Sequence, residues 1–334
     1  MSVNPERLPP DPFGPRGDGF DIAFERLSPD GDHLVVRRPA QRRTRVWLHL
    51  TLFLATVAST TAWGMLHYAG FVPGFEMGWA VLPSWILNGF WYSATVLAIL
   101  GCHEMGHYAA CRHYGVDASP PYFLPAPILL TGTLGAFIRI REPIRTKRVL
   151  FDIGVAGPIA GFVVAVPALW MGIALSRLTP IDPDFSGFSL GEPLLFKAFL
   201  WLIWGAPPEG HTMILHPMAF AAWFGLLATA LNLFPVGQLD GGHISYAVLG
   251  RWSTLVTLLA VVAAVVMSFF SSSLVVWTAL LVVMILIFGP RHPRTEDEDL
   301  PIGRARKMVA AAALAIFVVC FTPVPIEIAR LFPA

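Results

Sequence analysis

Five consecutive residues, His103-Glu104-Met105-Gly106-His107, carry the clearest chemistry in this chain. On a helix, histidines at i and i+4 project from one face and can share a single Zn2+. The Glu next to the first His is placed to take a proton from water that such a metal activates. The pentapeptide lies inside an apolar stretch long enough to enter a membrane. Ionisable side chains at that depth are costly and point to function. The bland alternative, two core or pore-lining histidines beside a stray Glu, must account for all three residues at one place.

A second constellation runs from Asn232 to His243, Asn-Leu-Phe-Pro-Val-Gly-Gln-Leu-Asp-Gly-Gly-His. A polar stretch broken by Gly and Pro, directly after an apolar helix, is tolerated at membrane depth only where protein or water covers it. Two His ligands leave a catalytic zinc one protein ligand short, and a carboxylate commonly completes the set. Asp240 is the candidate. Gly241 and Gly242 would let the backbone turn closely around the metal. Asn232 offers an uncharged amide to a substrate carbonyl or an oxyanion. His243 keeps three readings: a ligand, a group behind the ligands, or a residue that starts a helix. Without the zinc motif, the whole stretch could simply cap the preceding helix.

The elements that must position these residues are membrane helices. Of 334 residues, 55% are hydrophobic and 13% charged, about half the charge of a soluble domain. The chain is expected to be an all-α polytopic membrane protein with six to seven transmembrane helices. Apolar segments run over 46–68, 85–114, 149–175, 216–233, 255–270, 274–288 and 308–321. Residues 1–45 form a Pro-rich, basic tail, with a short β-like stretch at His33–Val36. Residues 46–84 supply the first span and an external loop, 85–250 the catalytic core, and 251–334 additional C-terminal helices. No apolar segment in the first 45 residues reads as a signal peptide. Cys102, Cys111 and Cys320 lie in separate helices and form no disulfide framework. No basic tract interleaved with aromatics points to nucleic acid. Gly154, Gly157 and Gly161 give the third helix a small-residue face for close packing. Leu194–Trp204, in the 177–214 loop, has the pattern of an interfacial helix.

Both constellations together resemble the site-2 protease family of intramembrane zinc metalloproteases. The resemblance rests on His103-Glu104-x-x-His107 followed by Asn232-x-x-Pro235 and Asp240-Gly241. Gly132-Thr133-Leu134-Gly135 and the Gly-Pro-x-Ala-Gly of residues 157–161 add to it. It covers about residues 85–250, which it implies are a three-helix catalytic core with Zn2+ on His103, His107 and Asp240. It is closest to the subgroup without PDZ or CBS modules, since the 177–214 loop is too short for a PDZ domain. The implied substrates are transmembrane helices of other proteins, cut within the lipid bilayer. The family also implies a small membrane-associated β-hairpin beside the site. Here Pro120, Pro121, Pro125 and Pro127 forbid a continuous helix, and Thr131–Arg141 alternates weakly. An extended edge in this segment could pair with an unwound substrate, which makes Gly132, Thr133, Gly135, Ala136 and Ile138 the candidate substrate contacts.

Two other functions fit parts of the pattern. A metal-ion transporter would also place His and Asp in the membrane, but would repeat ionisable positions along several helices. A silent protease-like scaffold would not need Glu104 and all three ligands. Arginines concentrate in alternate connections: before the first helix, between the second and third, and between the sixth and seventh. The positive-inside rule then places the N-terminus and the zinc motif on the cytoplasmic side, with a bacterial inner membrane as the expected location.

Overall fold

A computed structural model describes residues 24–25, 35–36, 45–72, 81–127, 131–181, 188–206, 208–269, 274–289, 292–297 and 300–328. The chain divides into two units, Met1–Thr44 and Arg45–Ala334. In the first, β1 (Phe24–Glu25) pairs antiparallel with β2 (Val35–Val36), the latter inside the expected extended stretch. The rest of the N-terminal tail, residues 73–80 of the first external loop and Ser271–Ser273 lie outside the described residues.

The second unit is helical. Its elements are α1 (Val46–Phe71), α2 (Leu82–His113), β3 (Tyr122–Pro125), β4 (Thr133–Phe137) and α3 (Lys147–Ala174). They continue with β5 (Arg177–Pro180), β6 (Phe188–Leu190), α4 (Leu194–Trp204), β7 (His211–Ile214) and α5 (Pro217–Asn232). The chain then forms α6 (Asp240–Leu249), α7 (Ser253–Ser268), α8 (Leu274–Phe288), α9 (Arg304–Cys320) and β8 (Ile326–Ile328). The strands make only two-stranded antiparallel pairs: β3 with β4, β5 with β7, and β6 with β8.

Among the described residues, four helical segments are long and apolar enough to cross a membrane: α1, α2, α3 and the continuous run Asp240–Val266. Six to seven were expected, and the difference lies in the shorter helices. α5 has 16 residues, about 24 Å at 1.5 Å per residue, against a hydrocarbon layer of roughly 30 Å. It ends at Asn232, just before the loop that holds Pro235 and Gly237. A second difference follows. The stretch after α5 was expected to stay broken through His243, yet α6 begins at Asp240. Asp240 therefore sits in a helical first turn, where the backbone N–H groups favour a carboxylate.

The core forms where α2, α3 and α5 pack together. Ile99, Leu169, Ile173, Trp223 and Leu226 are buried there. α1 packs on α2 through glycines: a Cβ at Gly89 would lie 2.7 Å from the Met65 backbone nitrogen. The Thr60 and Ser93 hydroxyls meet at 2.7 Å across the same seam. α1 also anchors the β3–β4 hairpin. His49 Nδ1 bonds the Pro121 carbonyl at 3.0 Å, its ring lies against Tyr122, and Ser59 Oγ donates to the Gly132 carbonyl at 2.7 Å. α1, which precedes residues 85–250, thus bonds the hairpin at both Pro121 and Gly132.

Gly132 is the tightest point of that anchor. Its φ is +70°, and a Cβ would lie 2.7 Å from the Ser59 carbonyl oxygen. Gly132→Val is expected to destabilise the hairpin by roughly 1–3 kcal/mol through backbone strain alone. Limited proteolysis in detergent micelles should show earlier cleavage within 118–141 while the helical circular dichroism stays unchanged; equal protection of the hairpin would contradict the anchoring role.

Candidate active site

α2 and α6 bring the ligand set together. His103 Nε2 and His107 Nε2 are 3.1 Å apart. Asp240 Oδ2 lies 3.2 Å from the first and 3.3 Å from the second. A tetrahedral zinc with bonds of about 2.0–2.1 Å would space its ligand atoms by roughly 3.3 Å. The triangle therefore has the size that the metal requires. It is also the one group of three or more His, Cys, Asp or Glu suited to a metal among the described residues.

The protonation pattern fits as well. His107 Nδ1 is 2.8 Å from the Ile153 carbonyl oxygen. A carbonyl only accepts, so Nδ1 carries the proton and Nε2 presents its lone pair to the centre of the triangle. Glu104 is buried but stands aside, with its carboxylate 4.0 Å from His103 Nε2. At that distance the carboxylate lies outside the triangle of candidate ligand atoms.

α3 makes room for the imidazoles. A Cβ at Gly157 would overlap the His107 ring, and one at Gly161 would lie 3.1 Å from His103 Cβ. One at Gly154 would lie 3.0 Å from His243 Cβ. The small-residue face was read as ordinary close packing; its glycines are spaced to admit the histidine side chains themselves. Gly241 and Gly242 act differently from expectation. A Cβ on either would collide with backbone carbonyls of residues 233–237. They let that loop fold onto α6 and so set where α6 begins. Gly237, at φ +53°, makes the turn, and Thr257 of α7 bonds the Pro235 carbonyl at 2.7 Å.

A cavity of about 320 Å³ opens beside the triangle. His103, Glu104 and Asn232 line it together with Ile99, Leu100, Phe224, Leu227, Ala228 and Leu134, Gly135 and Ala136 of β4. Asn232 Nδ2 is 3.1 Å from His103 Nε2. Of the hairpin residues singled out from the sequence, Gly135 and Ala136 reach the cavity. Gly132 and Thr133 are not among its lining residues. Gly132 is wedged against α1, and Thr133 is buried with its hydroxyl donating to the Leu124 carbonyl at 2.8 Å. The Ile138 backbone N–H is directed at the Glu104 carboxylate.

The pairing of β4 shows which edge is open. Arg139 bonds Ser119 through both backbone groups, at 2.9 Å each. Gly135 N–H donates to Thr133 Oγ1 at 3.0 Å, and that hydroxyl bridges to β3. Strand alternation then turns the Ala136 peptide N–H away from β3; Ile138 lies past the end of β4, and its N–H is taken by Glu104. The apolar lining was not singled out from the sequence. Pro325, which also faces the cavity, lies 93 positions after Asn232 and carries no local signal.

Comparison with known proteins agrees with this geometry. The profile of peptidase family M50 matches residues 91–276, more than half of the chain. The chain belongs to that family. It is 30% identical over 247 residues to "Probable zinc metalloprotease EGY2, chloroplastic" of Oryza sativa subsp. indica, a match covering 73% of this chain and 45% of that protein. It is 28% identical over 353 residues to "Probable zinc metalloprotease EGY1, chloroplastic" of Arabidopsis thaliana, covering 99% of this chain and 61% of the relative. The chain thus spans roughly half the length of these curated relatives. No solved structure matches it.

The fit between α3 and the ligands can be tested at one atom. Gly157→Ala should push the His107 ring off the triangle and weaken divalent-metal binding by roughly 10–100-fold, as loss of a ligand's support does. Chelator competition on the purified chain measures it; unchanged affinity would show that α3 can shift freely.

Proposed function

We propose that this protein is an intramembrane zinc metalloprotease that hydrolyses peptide bonds within transmembrane helices of other proteins. The observation that carries the reading is the ligand triangle of zinc dimensions with Glu104 beside it, next to a cavity walled in part by β4. His103, His107 and Asp240 would hold the Zn2+. Bound there, zinc supplies a Lewis acid for water and for the scissile carbonyl. Glu104 takes the proton of the attacking water and hands it to the leaving amine. The Asn232 amide shares its bond to His103 Nε2 with the position that the metal claims. With that nitrogen ligated, the amide is released to donate to the developing oxyanion.

A helix hides its amides in i→i−4 hydrogen bonds, so a substrate must be unwound to be cut. In this reading the outward edge at Ala136 pairs with the unwound segment, as β-addition does elsewhere, while the Ile138 N–H holds the Glu104 carboxylate. Leu134, Gly135 and Ala136 would touch it, while Gly132 and Thr133 hold the hairpin in shape. Residues 85–250, with α1 as hairpin anchor, would form the catalytic unit, and 251–334 the helices that close it. α7 and α8 carry no ionisable residue, which gives a transporter no polar path along them.

Arg145 lies 3.9 Å from Glu296, and Arg306 pairs with Asp152. The arginine-rich connections thus meet at one end of the bundle, the end at which the positive-inside rule places the N-terminus. The relatives are chloroplastic proteins of plants, which gives the expected bacterial inner membrane no support. The proposal is a multi-pass membrane protein whose basic end faces the compartment of synthesis.

Two measurements test this reading. Glu104→Gln should keep one zinc per chain by elemental analysis yet release no fragment from a panel of membrane-helix substrates. Normal turnover in that variant would sink the mechanism. Ala136→Pro removes the backbone donor at the strand edge, and Ile138→Pro removes the donor that meets Glu104. Cleavage should fall by at least about tenfold, the scale of losing one charge-assisted or well-placed hydrogen bond, with zinc content unchanged. Ala136→Ser and Ile138→Val keep the donor and should cost little. Intact cleavage in both proline variants would turn the hairpin into a structural plug.

A further inference from the structure

Residues 292–297 and 300–302, between α8 and α9, lie against the end of the bundle where α3 begins. Backbone and side-chain bonds tie it down. The Glu296 N–H donates to the Arg145 carbonyl at 2.8 Å, and the Lys147 N–H donates to Asp297 Oδ1 at 2.6 Å. Ile302 is buried with Phe151, Val155 and Ile244. The proposed chemistry uses none of these residues. Nor does it use His243, whose role the sequence left open.

The bonding around His243 is determined by what each atom can do. His292 Nδ1 is 2.6 Å from the Pro293 carbonyl oxygen. The carbonyl only accepts, so Nδ1 carries the proton, and Nε2 of the neutral ring is left as an acceptor. His243 Nδ1 lies 2.6 Å from that Nε2 and must donate to it. This nitrogen of His243 is therefore spoken for and does not ligate a metal. The His292 ring also stacks on Tyr246, with centroids 4.4 Å apart, and Tyr246 Oη accepts the Thr295 N–H at 3.0 Å. His243 and Tyr246 follow Asp240 at i+3 and i+6, on adjoining parts of the first two turns of α6. From the other side, Gly154 of α3 lets α6 approach: a Cβ there would sit 3.0 Å from His243 Cβ and 3.6 Å from the Asp240 carbonyl oxygen.

We infer that His292 is a positioning residue of the metal centre: through His243 it fixes the rotation of α6, and so the reach of Asp240 to His103 and His107. This inference rests on the metal-centre reading above. The physical need is plain. A helix turns about 100° per residue, so a small rotation of α6 swings the first-turn carboxylate out of ligand distance. The loop of residues 233–239 packs on the backbone of Gly241 and Gly242 and holds one side of α6; the strap holds it at His243 and Tyr246. The strap carrying His292 adds its hold from a part of the chain about fifty residues away.

The test is zinc affinity of the full chain in nanodiscs, read by competition with a fluorescent chelator. His292→Phe keeps the stack on Tyr246 and removes the acceptor; affinity should drop by roughly 10–100-fold. His292→Gln places an amide oxygen near the lost Nε2 and should stay within about threefold of the parent, well inside that range. In a His243→Phe background, His292→Phe should add no further loss, since the path runs through His243. Parent-like affinity in His292→Phe overturns the inference, and so does a full additive loss in the double variant. If His292→Phe does not assemble, His292→Asn replaces it. The Asn amide ends too short to reach His243, so Asn and Gln variants of equal affinity overturn the inference as well. Asp240→Asn is the control. If zinc binding to the parent does not depend on Asp240, the metal-centre reading fails. Asp240-dependent binding that ignores every change at His292 removes only the role of His292.

Discussion

Three ligand atoms held 3.1–3.3 Å apart inside an apolar bundle impose the conditions that the rest of the structure meets. Two imidazole lone pairs and a carboxylate oxygen converging on one point repel one another, and burying the carboxylate without a partner would cost several kcal/mol. A cation at that point removes both penalties. Such an arrangement persists only if the backbone around it cannot relax. α3 meets this demand with glycines where the histidines need space and with the Ile153 carbonyl where His107 needs an acceptor. The loop at residues 233–239 meets it by ending α5 early and starting α6 at Asp240.

The hairpin depends on the same geometry from the other side. β4 reaches the cavity because α1 holds the turn at Gly132 and the β3 strand at Pro121 and Tyr122. One edge of β4 is consumed by β3, and the other is left toward the site. The candidate metal centre and β4 thus border one cavity.

The support of the ligands is drawn from distant parts of the chain. His107 is oriented by α3, His103 is contacted by Asn232 at the end of α5, and Asp240 rides on a helix braced by the α8–α9 strap. Each contact fixes one degree of freedom: a tautomer, a ring position, a helix rotation. Metal affinity is sensitive to such supports because a displacement of a few tenths of an ångström already costs a bond of fixed length.

His103, Glu104, His107, Asp240 and Asn232 were legible in the sequence because their types and local spacing carry the chemistry. A helix period of 3.6 places i and i+4 on one face without help from any other element. The membrane class and the helices were legible for the same reason: hydropathy over 15–30 residues is a local property, and the ends of α1, α2, α3 and α5 fall within about three residues of where composition places them. Other features were not local. That Asp240 stands in a helix and not in a loop depends on Gly241 and Gly242 packing against carbonyls of residues 233–237. That Gly135 and Ala136 face the cavity while Gly132 and Thr133 do not depends on the pairing with β3 and the wedge against α1. The meeting of His243 with His292 required two segments forty-nine positions apart to fold onto one end of the bundle. Spacing along the chain determines which side chains share a face of one element; only the packing of elements against each other decides which faces meet.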